Sequence, residues 1–506
     1  MPAAPRLATL GRAAGSTFSG LLVALAFPPF DLVWLMPFGL AGLMLCVRGA
    51  TGRAGLLAGL GFGMGFMLPL MRWITIIGPD AWIGLAFLEA LFYALMGLTW
   101  AWLRPVRWWP VAFALTWVGA ETLRGTVPFG GLPWGSLAFG LVDTPFDRWG
   151  RVGGTSLVSF LLVLVVAVLV DVVERQDRSR WGLVSAAAAV AVVVGSIALP
   201  TGIAGADGST QVAAVQGNVP GGGMDPFAER RAVLDNHVQA TFDFARQVRA
   251  GDVPKPDIVI WPENSTDIDP YSDRSAYDEI DSAVKAIGVP TLVGAVVDGP
   301  GPTHVRNMGI VWSPTSGAGE QYVKRHPVPF GEYIPFRSFL TKFIKRLSQI
   351  PRDFAPGHFD SVLQLGPVRV GDVICFEVAY DGLVRDAIEQ GGQLLVVQTN
   401  NATYTGTGQL EQQFAISRYR AIETGRFVVV AATNGISGII APDGTVVAQT
   451  QQKTRAVLDE RVTLGNGITW GLRVGLWVEL ALCALALGAV VLNRWEASRS
   501  TARIQA

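Results

Sequence analysis

Among 506 residues there are three cysteines, Cys46, Cys375 and Cys483. Cys46 and Cys483 lie in apolar runs, where a thiol is usually a small buried hydrophobe. Cys375 is the one cysteine in a polar part of the chain. A lone thiol builds no disulfide framework and no CxxC metal pair. The four histidines, His237, His304, His326 and His358, show no metal-ligand spacing. The chemistry implied is therefore that of a nucleophilic thiol, with no metal or redox cofactor. A thiol attacks as thiolate, yet a free cysteine is mostly protonated at neutral pH. Without a neighbouring histidine it needs another base.

Two further strand ends supply candidates. Asp257-Ile-Val-Ile-Trp-Pro-Glu263 ends an apolar run in a carboxylate, and Gln321-Tyr-Val-Lys324 ends another in a lysine. Gly371-Asp-Val-Ile-Cys375-Phe-Glu377 ends a third in the thiol. Rigid strands giving way to loops are common positions for catalytic groups. A carboxylate in a partly apolar site can have its proton affinity raised into the useful range, which suits Glu263 as base. Lys324 can stabilise the thiolate and then the oxyanion of a tetrahedral intermediate. The backbone N–H of Phe376, next to the nucleophile, is a natural second oxyanion donor. Taken singly, a strand-end glutamate is an ordinary surface residue and a lone cysteine ordinary core. The three together carry the reading.

These ends belong to a stretch of alternating strands and helices, residues 201–466. Apolar runs recur at 212–216, 257–261, 291–297, 309–312, 368–375, 394–398, 427–432 and 437–440. Several are continuous rather than alternating, as in strands buried on both faces. Helical periodicity at 228–250, 276–287, 382–389 and 409–425 lies between them, with Gly425 a fitting stop. This alternation predicts a layered α/β domain.

The remainder is a membrane protein by composition. Half the residues are apolar and 16% are charged, against about 25% in soluble chains. Eight apolar segments are candidate spans: 13–29, 32–48, 54–74, 81–103, 109–124, 155–174, 182–200 and 469–492. Pro28-Pro29 reads as a turn between the first two, and the first reads as an uncleaved span. Arg6, Arg12, Arg48, Arg53, Arg104, Arg107, Arg175, Arg178, Arg180, Arg494, Arg499 and Arg503 fall on one side of this arrangement; Arg72, Arg148 and Arg151 fall on the other. The majority predicts a cytoplasmic N-terminus. The expected organisation is a membrane domain at 1–200, an extracytoplasmic domain at 201–466, and a final span with a cytoplasmic tail at 467–506. The formal net charge is zero, which gives no global field for nucleic acid.

One segment links the two environments. Phe336, Phe339, Leu340, Phe343, Ile344 and Leu347 form a helical stripe, with Arg337, Lys342, Lys345 and Arg346 interleaved. A basic helix with a Phe-rich face is an interfacial membrane binder, and its position makes it a candidate lid over an acyl pocket. The competing reading is a core helix; four cations in so short a stretch oppose full burial.

The motifs WPE, Lys324 followed by Pro329-Phe-Gly-Glu332-Tyr, and Cys375-Phe-Glu377 resemble the nitrilase superfamily. Joined to eight spans, they resemble the bacterial apolipoprotein N-acyltransferases. Leu123-Arg-Gly, Leu132-Pro-Trp134, Val215-Gln-Gly-Asn-Val-Pro220, Thr399-Asn-Asn-Ala402, Arg420-Ala-Ile-Glu423 and Ala432-Thr-Asn-Gly435 add to the likeness, which covers nearly the whole chain. The resemblance implies an αββα sandwich carrying a Glu–Lys–Cys triad. Glu263 becomes the general base, Lys324 the thiolate and oxyanion partner, and Cys375 the acylated nucleophile, with Glu332 and Glu377 in support. It implies an enzyme of the inner membrane that moves an acyl chain from a phospholipid, through a thioester, to the amine of an S-diacylglyceryl-cysteine on apolipoproteins. Two positions depart from the pattern. Phe376 stands where the family often has tyrosine, and Met224 where it has a tryptophan.

Two other functions share parts of these features. A membrane-anchored amidase acting on small amides would use the same triad but leaves the spans and the Phe-rich segment unexplained. A transporter or lipoprotein-binding scaffold would draw on ionisable residues in the spans, for which Glu89 and Glu121 are the candidates.

Overall fold

The apolar runs become strands of two sheets in the computed structural model, which describes residues 3–175, 180–220, 230–358 and 360–505. In chain order, β1 is Ala206–Gln216, β2 Ile258–Ile260, β3 Thr291–Asp298, β4 His304–Ser313 and β5 Gly317–Val323. Next come β6 at Asp353–Phe354, β7 at Val362–Leu365, β8 at Val368–Ile374 and β9 at Leu394–Thr399. The last four are β10 at Val428–Ala432, β11 at Gly438–Ile440, β12 at Val446–Gln449 and β13 at Ala456–Gly465. One sheet runs β13-β1-β2-β3-β4-β5, with β6 on β4; the other runs β12-β11-β10-β9-β8-β7. The centres are parallel (β1–β2–β3 and β8–β9–β10). β1 and β13 pair antiparallel, from Ala206↔Gly465 to Gln216↔Ala456. The first and last strands of this unit are therefore neighbours.

Period-two patterning then assigns faces. Val212, Ala214, Ile258, Ile260 and Leu292 of the first sheet meet Val370, Ile374, Leu394, Val396 and Val429 of the second in one buried layer. The outer face of the first sheet, including Val215, Val259, Trp261 and Val293, packs on helices Arg230–Ala250 and Arg274–Ile287. Helices Asp381–Glu389 and Gln409–Thr424 cover the second sheet. A Cβ at Gly371 would meet Ala387, and one at Gly438 would meet Phe414. The order is helix, sheet, sheet, helix. Gly425 ends the last of these helices in the left-handed conformation at φ 63°, the stop its position predicts.

The chain divides into two compact units, Thr201–Thr469 and Met1–Pro200 with Trp470–Ala506. Among the described residues of the second of these, four helices are long and apolar enough to cross a membrane: Gly52–Leu70, Pro79–Leu103, Pro145–Arg175 and Trp470–Arg499. Leu35–Cys46 and Gly182–Ala198 are apolar but shorter. Ala3–Ala24 and Trp109–Arg124 are the other helices at predicted spans. Close packing rests on small residues. A Cβ at Gly59 would lie 2.0 Å from Tyr93 O, and one at Gly65 would lie 2.0 Å from Thr17 O. Such glycines let helix backbones touch where lipid supplies no hydrophobic drive. Glu89 and Glu121 both have hydrogen-bond partners within the chain. Arg124 Nη1 donates to Glu89 Oε2 at 3.2 Å and to the carbonyls of Leu132 and Trp134, while Glu121 accepts from Trp117 Nε1 and Leu137 N. Both carboxylates hold the loop after Trp109–Arg124, a structural role for each.

The Phe-rich stripe forms two short pieces rather than one helix. Arg337–Phe343 is helical, Ile344 breaks it at φ −118° and ψ 86°, and Lys345–Gln349 is a 3-10 turn. Arg337 bonds Asp353 and the Ile350 carbonyl, which draws the chain back on itself. A helix this short has too few hydrogen bonds to continue without packing, and none of its residues is buried. Phe336 and Phe343 are 71% and 72% exposed, Phe339 is exposed and Leu340 half-buried. The core-helix reading is thereby excluded.

Candidate active site

The three strand ends converge. Glu263 follows β2, Lys324 follows β5 and Cys375 follows β8. Lys324 Nζ donates to Glu263 Oε1 at 2.9 Å and to Glu332 Oε1 at 2.8 Å. Both Lys324 and Glu263 are buried. Burial opposes the Lys324 charge, but Glu263 and Glu332 outweigh it and hold the ammonium well above its usual pKa. Lys324 is thus a fixed cation.

Glu263 is oriented at both oxygens. Asn307 Nδ2 donates to Oε1 at 2.7 Å, and the Asn400 backbone N–H donates to Oε2 at 2.7 Å. Asn307 Nδ2 also reaches Glu332 Oε1 at 3.2 Å. Glu332 is anchored through Oε2, which accepts from Val328 N at 2.6 Å. Asn307 was not legible as a site residue; an asparagine in the middle of β4 has no pattern that separates it from others. Asn400 and Thr399 lie in the Thr-Asn-Asn-Ala motif, which marked the segment without assigning a role.

Cys375 sits at φ 57° in the left-handed region, between β8 and the 3-10 turn Cys375–Ala379. For a side-chain-bearing residue this costs about 1–2 kcal/mol, so the surroundings have to hold it. Glu377 does so. Its carboxylate accepts from Ile374 N at 2.8 Å, Arg325 N at 2.7 Å, His326 N at 2.9 Å and the Tyr322 hydroxyl at 3.0 Å. One carboxylate therefore ties the Cys375 turn to the residues just after Lys324, across the two sheets. Arg420 grips the far end of the turn, donating to Val378 O and Ala379 O at 2.8 and 2.9 Å. Phe376 is buried and packs edge-on against Tyr380, at 5.4 Å between centroids.

The Cys375 side chain is half-buried. Desolvation pushes the Cys375 thiol up to about 12; Glu263 pushes the same way and Lys324 opposes. A thiol in this environment favours its protonated form, so a nucleophilic role for it would call for a base. Thr399 Oγ1 lies 3.4 Å from the sulfur. Met224 and the Gly221–Gly223 loop lie outside the described residues. Among the described residues no cluster of His, Cys, Asp or Glu could hold a metal ion.

Comparison with known proteins agrees in both halves of the chain. Residues 19–168 match the apolipoprotein N-acyltransferase N-terminal domain, and residues 211–471 match the carbon-nitrogen hydrolase family. An apolipoprotein N-acyltransferase of Mycolicibacterium smegmatis is 39% identical, covering 96% of this chain and 86% of that protein. One from Azotobacter vinelandii is 30% identical over 94% of each. Among solved structures, an amidase from Nesterenkonia sp. covers 54% of this chain and 96% of its own, at 16% identity and a TM-score of 0.39.

Proposed function

This chain belongs to the bacterial apolipoprotein N-acyltransferases, and on that premise we propose the residues and steps by which it N-acylates lipoproteins. Glu263 takes the Cys375 proton as the sulfur attacks the ester carbonyl of a membrane phospholipid. The oxyanion forms against Lys324 and the Phe376 N–H. Glu263 returns the proton to the departing alkoxide, lysophospholipid leaves, and a thioester remains on Cys375. The free amine of an S-diacylglyceryl-cysteine then attacks the thioester, losing a proton to Glu263. The amide forms, the thiolate departs and is reprotonated. This is a ping-pong scheme needing no cofactor.

The observation that carries it is the Glu263–Lys324–Glu332 array, buried at Glu263 and Lys324 and half-buried at Glu332, whose charges act on the Cys375 sulfur. Glu263 accepts three hydrogen bonds, which orients it as base, and Lys324 cannot give up its proton cheaply. Glu332 and Glu377 position these groups. The arginine distribution supports eight crossings of the inner membrane, with both termini cytoplasmic and the catalytic domain outside. The exposed Phe336, Phe339 and Phe343, beside Leu340, suit contact with lipid at the membrane face.

Intact mass after incubation with phospholipid tests the scheme. The wild type should gain one acyl chain that hydroxylamine removes and that a diacylglyceryl-cysteine peptide accepts. Cys375→Ser should gain no hydroxylamine-labile chain. Absence of the adduct, with turnover of small amides instead, would replace this reading with an anchored amidase.

A further inference from the structure

Behind the sulfur lies a closed set of buried polar side chains that the scheme above does not use. Thr399, the last residue of β9, stands beside the end of β8, where Ile374 pairs with Gln398. Its hydroxyl has three polar neighbours. Gln413 Nε2 donates to Thr399 Oγ1 at 2.9 Å. Asn401 Oδ1 is in short contact with the hydroxyl, and Cys375 Sγ is 3.4 Å away. Thr399, Asn401, Gln409 and Gln413 are all buried.

The amides fix one another's orientation. Gln413 Oε1 accepts from Gln409 Nε2 at 2.9 Å and from Asn401 Nδ2 at 3.1 Å. Asn401 Nδ2 also donates to Gln409 Oε1 at 2.7 Å. Turning any one amide over sets oxygen against oxygen or N–H against N–H. Gln413 therefore presents an N–H to Thr399, and the threonine oxygen acts as acceptor there. Its single proton has two destinations, Asn401 Oδ1 and Cys375 Sγ.

We propose that the Thr399 hydroxyl is a further catalytic residue: it donates to Asn401 while the Cys375 sulfur is neutral and to the sulfur when it is charged. A neutral thiol or thioester sulfur is a weak acceptor, so the amide oxygen wins at rest and in the acyl-enzyme. A thiolate makes a charge-assisted bond, so the hydroxyl turns as the sulfur ionises. It turns again when the thiolate departs in the second half-reaction. An interaction present only in the charged states lowers barriers without tightening the ground state. The hydroxyl also acts against burial on the sulfur's proton affinity. The inference rests on Cys375 being the acylated nucleophile.

The test uses the full-length enzyme and two readouts, alkylation of Cys375 by iodoacetamide at one mildly alkaline pH and acylation by phospholipid. Thr399→Val keeps the shape and removes the hydroxyl; Thr399→Ser keeps the hydroxyl. Thr399→Val should lower both rates roughly ten- to a hundredfold, and Thr399→Ser should stay within about threefold of wild type. Thr399→Ala replaces the valine variant if that protein does not fold. Alkylation of the valine or alanine variant at the wild-type rate overturns the proposal. So does an equal loss in Thr399→Ser, since that would assign the effect to methyl packing. Alkylation needs no lipid, so a wild type that alkylates normally but takes no acyl chain refutes the acyl-transfer scheme and leaves the donor role standing or falling on the alkylation rates.

Discussion

Lys324 holds its proton between two carboxylates and an asparagine amide bridges the same pair, and the proposed scheme accordingly gives the moving proton to Glu263. A glutamine there preserves volume and removes the base. Glu263→Gln should lower single-turnover acylation by about 10²–10⁴-fold with little change in phospholipid binding. Near-wild-type acylation of this variant would reassign the base. Lys324→Met should be worse for the fold than for size alone. It leaves the buried Glu263 beside the half-buried Glu332 without a cation, a loss of about 3–5 kcal/mol that a denaturant titration can measure.

At the scale of elements, β8 carries a second buried acid three residues before the nucleophile. Asp372 is fully buried, and neither carboxylate oxygen has a hydrogen-bond partner among the described residues. A Cβ on Gly309 would lie 2.3 Å from Asp372 Oδ2 and 2.6 Å from Gln398 Oε1, so the two oxygens converge above that glycine. Acceptors that converge need a proton between them. Burial accordingly raises the Asp372 carboxyl well above its usual range, reinforced by Glu377 and Glu263. The folded state then holds a proton that the unfolded chain has released. Stability from this group is present below the ordinary carboxyl pKa of 3.8 and is lost as pH rises from there toward the raised value. Asp372→Asn should remove that loss. Its midpoint of thermal unfolding should match wild type in acid and exceed it increasingly toward neutrality; a variant less stable at neutral pH would contradict this. Gln398 Nε2 donates to Trp261 O at 2.6 Å, so the same layer joins the strand after Cys375 to the strand before Glu263.

Which of these features a sequence can carry follows from their range. Glu263, Lys324 and Cys375 were legible because each ends an apolar run, and run and residue are contiguous. Glu377 was legible as part of a motif, although its bonds to Arg325 N and His326 N were not. Asn307 and Gln413 were illegible because partners such as Glu263 and Thr399 come from other elements, and Asp372 because no local period marks it. The Phe-rich stripe was misread in length. Its periodicity continues past Ile344, but only packing against a core can sustain a helix, and no residue of Arg337–Phe343 is buried.

For the whole molecule, the exposed Phe336, Phe339 and Phe343 meet exposed Lys342 and Lys345 on one short segment. Replacing the three phenylalanines with serine should slow acylation from phospholipid vesicles by about tenfold or more, given roughly 1.5–3 kcal/mol for each fully buried side chain. Alkylation of Cys375 should stay unchanged. If vesicle acylation is unaffected, this segment has no part in reaching lipid.

The pairing of β1 with β13 also bears on how the enzyme is made. Their partners, such as Ala213 and Asp459, are separated by about 250 residues, which at about 5–20 residues per second takes the ribosome roughly 12–50 s to supply. Through that interval the outer edge of β1 stays open, and an open edge is a template for pairing with other chains. A chaperone that shields open strand edges has a defined time to act and a defined strand to cover. A messenger cut before residue 456 would yield a product with a permanently unfinished sheet, marked for proteolysis rather than merely shortened.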